Sequence, residues 1–363
     1  MIAFGGIERV LVDKMNYLLT VGHDVYLLTA NQGNHPLSFS LDERVHHKDM
    51  RVLTHMQYRY RGLRRLWERI RRNRILYRCL SEEIRQIRPD VIVTTTNSYV
   101  SALGVLKGRI PLVVESHSSY DHVREYDDNS PFHHYDTRRA YRWLHLADII
   151  VALTDRDARR WRQHYRRVVS IPNIVHLNAT GSLSTCSNKR AIFVGRNCRQ
   201  KAIPDLLQAW ALVHVRHPDW QLDMYVEREK SELVRQAESL HANIRVLSPV
   251  RHIMECYLES SIFVQTSLYE PFGLAMAEAM SCGLPVVAFE GDGPCSIITD
   301  GADGFVVGGR SIEAFADRVS QLIESETLRL RIGHSAARSV LRYAPDMVMP
   351  AWLELFESLC SQR

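Results

Sequence analysis

The residues with the clearest chemical potential lie in residues 267–289, which read SLYEPFGLAMAEAMSCGLPVVAF. Two carboxylates, Glu270 and Glu278, stand eight positions apart in this string. A carboxylate can accept hydrogen bonds from two adjacent hydroxyl groups, so the pair suits a sugar on one side and a ribose on the other. Either glutamate alone is more typical of a solvated helix face, and the sugar interpretation depends on the whole string.

The order of residue types in this string predicts a strand, a loop, a helix, a turn and a second strand. The strands are expected over residues 262–266 and 285–289. Pro271 fixes the chain just before the helix, Gly273 lets backbone come close to a ligand, and Gly283 ends the helix. The N-terminus of that helix would present free N–H groups at the carboxyl edge of a sheet, where they bind anions.

Positive charge and a histidine follow two other predicted strands. Arg196 comes just after the apolar run 191–194, and Lys201 lies five residues further on. An arginine can grip two phosphate oxygens at once, and a lysine adds a point charge. His117 follows the apolar run 112–115. Each is typical of an ordinary surface when taken alone, but beside the helix N-terminus the two cations would hold a diphosphate.

The elements that position these residues are those of a mixed α/β fold. Helix-period segments, such as residues 8–19, 80–87 and 204–215, alternate with short apolar runs. Strands that alternate with helices indicate parallel sheets covered on both faces. We expect two doubly wound Rossmann-like domains that face a crevice, with ligands beyond the carboxyl ends of the strands. Buried strands are predicted over residues 25–29, 91–95, 112–115, 149–153, 191–194, 222–226, 262–266 and 285–289.

Composition excludes several other classes of protein. Apolar residues make up 45% of the chain and charged residues 24%, as in globular domains rather than disordered or collagen-like chains. No apolar run approaches the roughly 20 residues of a membrane helix. The seven cysteines form an odd set without a CxxC pair, which favours a reducing compartment over disulfides or a zinc site. A dinucleotide oxidoreductase is disfavoured, because no G-x-G-x-x-G follows a predicted strand.

The string E-P-F-G-L-x3-E-A-M-x2-G-x-P-V-V resembles the signature of the family 4 retaining glycosyltransferases, which have the two-Rossmann GT-B fold. Three further segments resemble that family at matching places along the chain. Residues 5–10, Gly-Gly-Ile-Glu-Arg-Val, look like the glycine loop that opens the first helix. Residues 171–173 look like the Ile-Pro-Asn end of the first domain, and residues 193–201 look like the phosphate-clamp segment.

The resemblance implies a role for each candidate residue. Arg196 and Lys201 would hold the diphosphate, and Glu278 would bind the nucleotide ribose. Glu270 and the adjoining backbone would bind the donor sugar and phosphate, and His117 would lie near that sugar, with Glu115 at the same strand end as a weaker candidate. No metal and no cofactor is implied. The catalytic group is then Glu270, His117, Arg196 and Lys201, and the donor-binding group is Gly5, Gly6, Phe272, Gly273, Leu274 and Glu278.

The resemblance also implies a domain plan, which the length of 363 residues supports because single cores stop growing near ~250–300 residues. Residues 1–172 would form an N-terminal, acceptor-side domain whose first strand is short or missing. The polar stretch 173–188 would be the linker, and residues 189–340 would form the nucleotide-sugar-binding domain. A C-terminal helix within residues 341–363 is expected to pack back toward the N-terminal domain.

The function implied is retaining transfer of a hexose from a nucleotide diphosphate sugar, with a UDP-sugar favoured. The acceptor would be a glycan or a lipid-linked molecule in the synthesis of cell-envelope polysaccharide or lipopolysaccharide. One alternative is a nucleotide-sugar epimerase of the same architecture. Another is a catalytically inactive glycan-binding relative, since residues 227–229 read Glu-Arg-Glu where the family usually has a Gly-x-Gly turn.

A basic segment of the chain predicts an additional binding partner. Apolar residues at helical spacing, Leu63, Leu66, Trp67 and Ile70, lie among nine arginines that only Glu68 opposes. A basic amphipathic helix with a tryptophan suits an anionic membrane surface, so a cytoplasmic protein at the inner face of the membrane is expected. The alternative is a solvated helix whose apolar stripe packs on its own domain, and no nucleic-acid motif accompanies the charge. The arginines are Arg59, Arg61, Arg64, Arg65, Arg69, Arg71, Arg72, Arg74 and Arg78.

Overall fold

The computed structural model describes residues 5–95, 97–123, 141–227 and 231–361. The short first strand expected in residues 1–4, and the second and third residues of the Glu-Arg-Glu turn, lie outside these ranges. The chain divides into two units. The first comprises Met1–Leu153, Ala158–Ile174 and Val348–Arg363, and the second comprises Thr154–Asp157 and Val175–Met347.

The first unit is built on two parallel sheets, in which β1 pairs with β2 and the other four strands run in the order β3-β4-β5-β6. Its core contains Leu80, Leu112, Ile150 and Trp161. The strands are β1 (Tyr26–Thr29), β2 (His46–Asp49), β3 (Ile92–Thr94), β4 (Leu112–Glu115), β5 (Ile149–Ala152) and β6 (Val168–Ser170). The helices up to the second unit are α1 (Gly6–Thr20), α2 (Gly62–Ile87), α3 (Asn97–Leu106), α4 (Tyr120–Val123) and α5 (Asp155–Arg162).

The second unit contains one six-stranded parallel sheet, formed by β7 (Arg190–Arg196), β8 (Gln221–Glu227), β9 (Ile244–Leu247), β10 (Ile262–Gln265), β11 (Val286–Phe289) and β12 (Gly304–Val307). Its helices are α6 (Ile203–Arg216), α7 (Ser231–Ser239), α8 (Ile253–Leu258), α9 (Leu274–Ser281), α10 (Asp292–Ile297), α11 (Ile312–Glu324) and α12 (Glu326–Ser339), and α13 (Pro345–Ser361) follows. Short 3-10 helices occupy Thr54–Arg59, Leu144–Leu146, Arg199–Lys201, Gly308–Arg310 and Val340–Tyr343.

The strands of the second sheet lie in the order β12-β11-β10-β7-β8-β9. All are parallel, but the side of the sheet on which successive strands are added changes between β9 and β10. From β7 the chain adds strands outward to β9, and it then returns to β10 on the other side of β7. Helices therefore leave these two neighbouring strands in opposite directions, and a crevice opens beyond their carboxyl ends. Arg196 is the last residue of β7, and Glu270 follows β10, so the topology brings both to this edge.

The structure confirms the predicted α/β class with parallel sheets, and all eight predicted strands are present. Both β10 and β11 are buried at every position, as expected for strands covered on two faces. The sequence analysis missed β2, β6, β9 and β12. Strand β2 reads His-His-Lys-Asp and is mostly exposed, so it carries no apolar signal. Helix α2 extends well upstream of the predicted 80–87, because the arginine-rich segment is helical as well.

Candidate active site

Two cations of the candidate site lie at the carboxyl end of β7. Arg196 ends the strand with an exposed side chain, and within the described ranges its guanidinium makes no hydrogen bond or ion pair. Lys201 closes the following 3-10 helix. A Cβ on Gly195 would lie 2.9 Å from the Phe193 ring and 3.4 Å from Cε of Lys201. The glycine therefore leaves room for the Phe193 ring, and the Lys201 side chain passes close to the same strand end.

Lys201 and Glu270, which lie in separate sequence motifs, meet in the structure. Lys201 Nζ donates to Oε2 of Glu270 at 2.5 Å, and the two side chains are each only 12% exposed. Gln265 Nε2 donates to the same oxygen at 2.6 Å, and Ser267 Oγ donates to it at 3.3 Å. The other carboxylate oxygen, Oε1, accepts no hydrogen bond from a described residue. One oxygen is thus held by three donors, and the other is available to a hydroxyl group.

The loop after Glu270 leads directly into the N-terminus of α9. Gly273 has φ +106°, a conformation that side-chain-bearing residues rarely adopt, and a Cβ there would lie 2.2 Å from Cε of Met276. No side chain caps the helix that Leu274 begins. Its first N–H groups therefore remain available to an anion, with the positive end of the helix dipole behind them. Phe272 is buried, with its ring edge-to-face against Tyr343 at 5.1 Å between centroids.

Gly293 holds this loop in place through backbone contacts. Its N–H donates to the carbonyl oxygen of Glu270 at 2.8 Å. A Cβ on Gly293 would lie only 1.9 Å from the carbonyl oxygen of Phe272. The first turn of α10 and the loop before α9 can approach this closely only because residue 293 has no side chain. Sequence reasoning identified neither this contact nor the role of Gln265, although Gln265 is a polar residue inside a predicted strand.

Glu278 lies one turn into α9 and is largely buried, with 9% of its surface exposed. Its charge acts electrostatically on the thiol of Cys282, four residues further along the chain. Burial raises the pKa of the Cys282 thiol to about 12, and the neighbouring Glu278 raises it as well, against a hydrogen bond from Ser281. The glutamate therefore lies inside the helix packing, rather than on an open surface.

The other three candidates belong to the first unit. Gly5 lies just before α1, and Gly6 begins the helix. A Cβ on Gly5 would lie 2.5 Å from Oε2 of Glu8, the end of a flexible side chain. His117 follows β4 with its side chain 5% exposed, and its Nε2 lies 3.5 Å from Oε1 of Glu115. Nε2 makes no hydrogen bond within the part of the chain that the structure describes.

Lys14 is a neighbour of His117 that the sequence analysis missed. Its Nζ donates to Oε2 of Glu115 at 2.7 Å and lies 3.5 Å from the centre of the Trp352 ring. Burial lowers the pKa of Lys14, against the attraction of Glu115. Burial alone would raise the pKa of Glu115, but Lys14 and His117 outweigh it and lower that pKa to about 2. The sequence did carry a signal for Lys14, because this charged residue lies four positions after the buried Val10, on the apolar face of a predicted helix.

The apolar stripe of the basic segment does not pack on its own domain, contrary to the alternative considered for it. Leu63 is 85% exposed and Trp67 is 60% exposed, and Leu66 and Ile70 are exposed as well. They lie on α2 among the arginines, and Arg71 contacts the face of the Trp67 ring. Among the helices described here, none combines the length and apolarity needed to cross a bilayer.

Two family models match most of the chain. The model described as Glycosyltransferase Family 4 matches residues 4–179, and the model described as Glycosyl transferases group 1 matches residues 184–339. The parallel α/β units and the strand order of the second sheet agree with the GT-B fold. The chain belongs to the family 4 glycosyltransferases, and it is a glycosyltransferase.

Individual proteins resemble the chain to different extents. The amylovoran biosynthesis glycosyltransferase AmsD of Erwinia amylovora is 26% identical, over 97% of this chain and 95% of the relative. An exopolysaccharide phosphotransferase of Streptomyces coelicolor is 27% identical over 78% of this chain, which spans only 30% of that relative.

Solved structures show the same fold. Sucrose-phosphate synthase of Thermosynechococcus elongatus superposes with a TM-score of 0.79 at 18% identity, over 99% of this chain and 94% of that chain. HepE of Anabaena, solved with UDP and glucose, superposes with a TM-score of 0.75 at 17% identity, over 99% of this chain and 97% of that chain.

Proposed function

We propose that the protein transfers a hexose from a UDP-sugar to a glycan or lipid-linked acceptor, with retention of configuration at the anomeric carbon. The observation that carries the proposal is the arrangement around Glu270, whose one oxygen is fixed by Lys201 while the other is available beside an uncapped helix N-terminus. A carboxylate for sugar hydroxyls and an anion site for phosphate thus adjoin each other. That combination fits a sugar diphosphate better than either ligand alone.

In this proposal the cations act on the leaving group. As the bond between the anomeric carbon and the phosphate oxygen breaks, negative charge grows on the departing diphosphate. Arg196, Lys201 and the first N–H groups of α9 would stabilise that charge, which is the usual electrostatic contribution to catalysis. The acceptor oxygen forms its bond on the same face of the sugar, and its proton passes to the departing phosphate. No side chain of the protein forms a covalent bond in this step.

The remaining candidates hold the donor. Glu270, with the backbone of Phe272, Gly273 and Leu274, would bind the sugar and its phosphate, and Glu278 would accept hydrogen bonds from the ribose. A ribose bound by Glu278 must reach a largely buried carboxylate, so this contact would be desolvated and correspondingly strong. From the first unit, Gly5 and Gly6 would adjoin the donor, and His117 would lie near its sugar.

The proposed role in polysaccharide synthesis is supported by what the names of similar proteins state. AmsD, which matches nearly the whole chain, is named for the biosynthesis of amylovoran, and HepE was solved with UDP and glucose. We therefore place the reaction in the synthesis of cell-envelope polysaccharide or lipopolysaccharide, with UDP-glucose as the first donor to test.

The exposed stripe of α2 supports docking at the inner face of the membrane. A lipid-linked acceptor would be reached there, because α2 presents Trp67 and its neighbouring arginines outward. Each basic residue near an anionic surface contributes about 1 kcal/mol, so three or four contacts suffice for reversible binding.

Donor screening tests the catalytic part of the proposal. The protein is incubated with UDP-, GDP- and ADP-sugars, with and without membrane extract as acceptor, and nucleotide release and sugar products are followed by NMR. We expect UDP release that rises with acceptor, and a product whose anomeric configuration equals that of the donor. An epimerised sugar from donor alone would instead identify an epimerase, and no binding of any donor would identify an inactive relative.

Vesicle sedimentation tests the membrane part separately. Four arginines of α2, exchanged together for glutamate, should release the protein from anionic vesicles and slow transfer to a lipid acceptor more than to a soluble one. Four exposed arginines of the second unit serve as a control with equal charge change. Equal release by both variants, or poor wild-type binding at low salt, would contradict docking through α2. The α2 set is Arg64, Arg65, Arg71 and Arg74, which are all exposed, and the control set is Arg235, Arg318, Arg331 and Arg338.

A further inference from the structure

We propose that Lys14 is a positioning residue for transfer, acting on His117 through the carboxylate of Glu115. The inference rests on the proposed function, since that function places His117 near the donor sugar. Lys14 itself touches no reacting atom. Its role is to fix one oxygen of Glu115, so that the other oxygen sets the orientation of the imidazole.

The geometry is that of a relay across three elements. Lys14 on α1 binds Oε2 of Glu115 at 2.7 Å, and Oε1 of the same carboxylate, at the end of β4, lies 3.5 Å from Nε2 of His117. All three side chains are at most 9% exposed. The ring of Trp352 on α13 covers the ammonium group at 3.5 Å. Water is therefore largely excluded, and the charges act on one another at close to full strength.

Stability alone does not account for this arrangement. A buried ion pair can often be replaced by apolar residues of similar volume without loss of stability. In addition, Nε2 of His117 is buried without a hydrogen bond from any described residue. A buried nitrogen that lies near a carboxylate without making a hydrogen bond is costly in a purely structural role, but it is useful where a substrate supplies that bond.

Charge explains what Lys14 does for the imidazole. Glu115 on β4 attracts a positive charge, and Lys14 on α1 occupies one of its two oxygens. Trp352 on α13 adds no charge. Without the lysine, the carboxylate would be free to turn toward His117 and to pull the ring into a different orientation.

The first test follows the imidazole signals of His117 by NMR in the full-length protein, a readout that does not depend on activity. Lys14→Met should shift these signals, because the carboxylate of Glu115 is no longer held by the ammonium group. Lys14→Met combined with Glu115→Gln should shift them as well, and this double variant leaves no unpaired buried charge, so it keeps the test valid if Lys14→Met alone unfolds. If the His117 signals of every variant that folds match those of the wild type, the proposal is wrong.

The second test links the relay to catalysis. Both variants should lower kcat, by up to about 100-fold as for a misplaced catalytic group, with little change in KM for the donor. In a His117→Gln background, the same substitutions should have no further effect. Lys107→Met breaks another lysine–carboxylate pair of the first unit, 2.7 Å from Asp148, and should leave kcat unchanged. Unchanged kcat in the Lys14 variants would overturn the positioning role, whereas the donor screen would still decide the proposed function.

Discussion

Gly293→Ala should displace the loop between Glu270 and Gly273, which we propose binds the donor, without changing any charged or polar side chain. The new Cβ would lie 1.9 Å from the carbonyl oxygen of Phe272 and 2.8 Å from that of Glu270. Ordinary van der Waals contact begins near 3.4 Å, and both obstacles are backbone atoms that no rotamer change can remove. The loop between Glu270 and Gly273 must therefore retreat by more than 1 Å.

That displacement sets the expected magnitude. Overpacking of this kind costs about 1–3 kcal/mol of stability, or a few degrees in the melting temperature of a unit of this size. A shift of about 1 Å in groups that position a substrate can lower the rate about 100-fold. We expect Gly293→Ala to remain folded, to melt a few degrees lower and to lose about two orders of magnitude in kcat/KM for the donor.

Gly291→Ala is the matched control, two residues earlier in the same segment. Its Cβ would meet Pro294 at 3.5 Å and backbone no closer than 4.0 Å, and its φ of −177° suits any residue. Thermal melting and donor kinetics of both variants show whether displacing the loop before α9 lowers activity. If Gly293→Ala has the activity of Gly291→Ala, the loop before α9 does not hold the donor in the way we propose.

Three further predictions follow from the other contacts. Arg196→Ala combined with Lys201→Ala should abolish turnover in a folded protein, because the diphosphate loses both cations; near-normal kcat would refute the clamp. Glu278→Ala should weaken UDP binding by about 1.5–3 kcal/mol, the value of a hydrogen bond to a charged group, and unchanged calorimetric affinity would contradict the ribose contact. The Lys14–Glu115 pair should stabilise the first unit above about pH 4.5 and lose this effect as the pH falls toward 2, because the pKa of Glu115 is lowered on folding. Urea midpoints measured from pH 6 to 3 should therefore fall more steeply in the wild type than in the Lys14→Met/Glu115→Gln variant, and parallel curves would contradict the assignment.

Much of the fold followed from local pattern. The apolar runs predicted strands because a strand buried on both faces is mostly apolar, as β11 is throughout and β10 is except for Gln265. Strand β2 was invisible because it is exposed, and an exposed strand carries polar residues in any order. The spacing of apolar residues predicted the helix over the arginine segment, but it did not show that this helix is continuous with residues 80–87.

The sequence by itself determined the class of fold, because short apolar runs alternate with helical segments. It also identified the candidate residues, because glycine and proline fix the local backbone of the string that carries the two carboxylates. Only the tertiary structure decided which of these residues meet. Lys201 and Glu270 are 69 positions apart, and they form an ion pair because β7 and β10 are neighbours in the sheet. Lys14 and Glu115 are 101 positions apart, and their pairing depends on where the fold places α1 and the end of β4. Contacts of this kind arise from strand order and packing, which no local pattern of residues encodes.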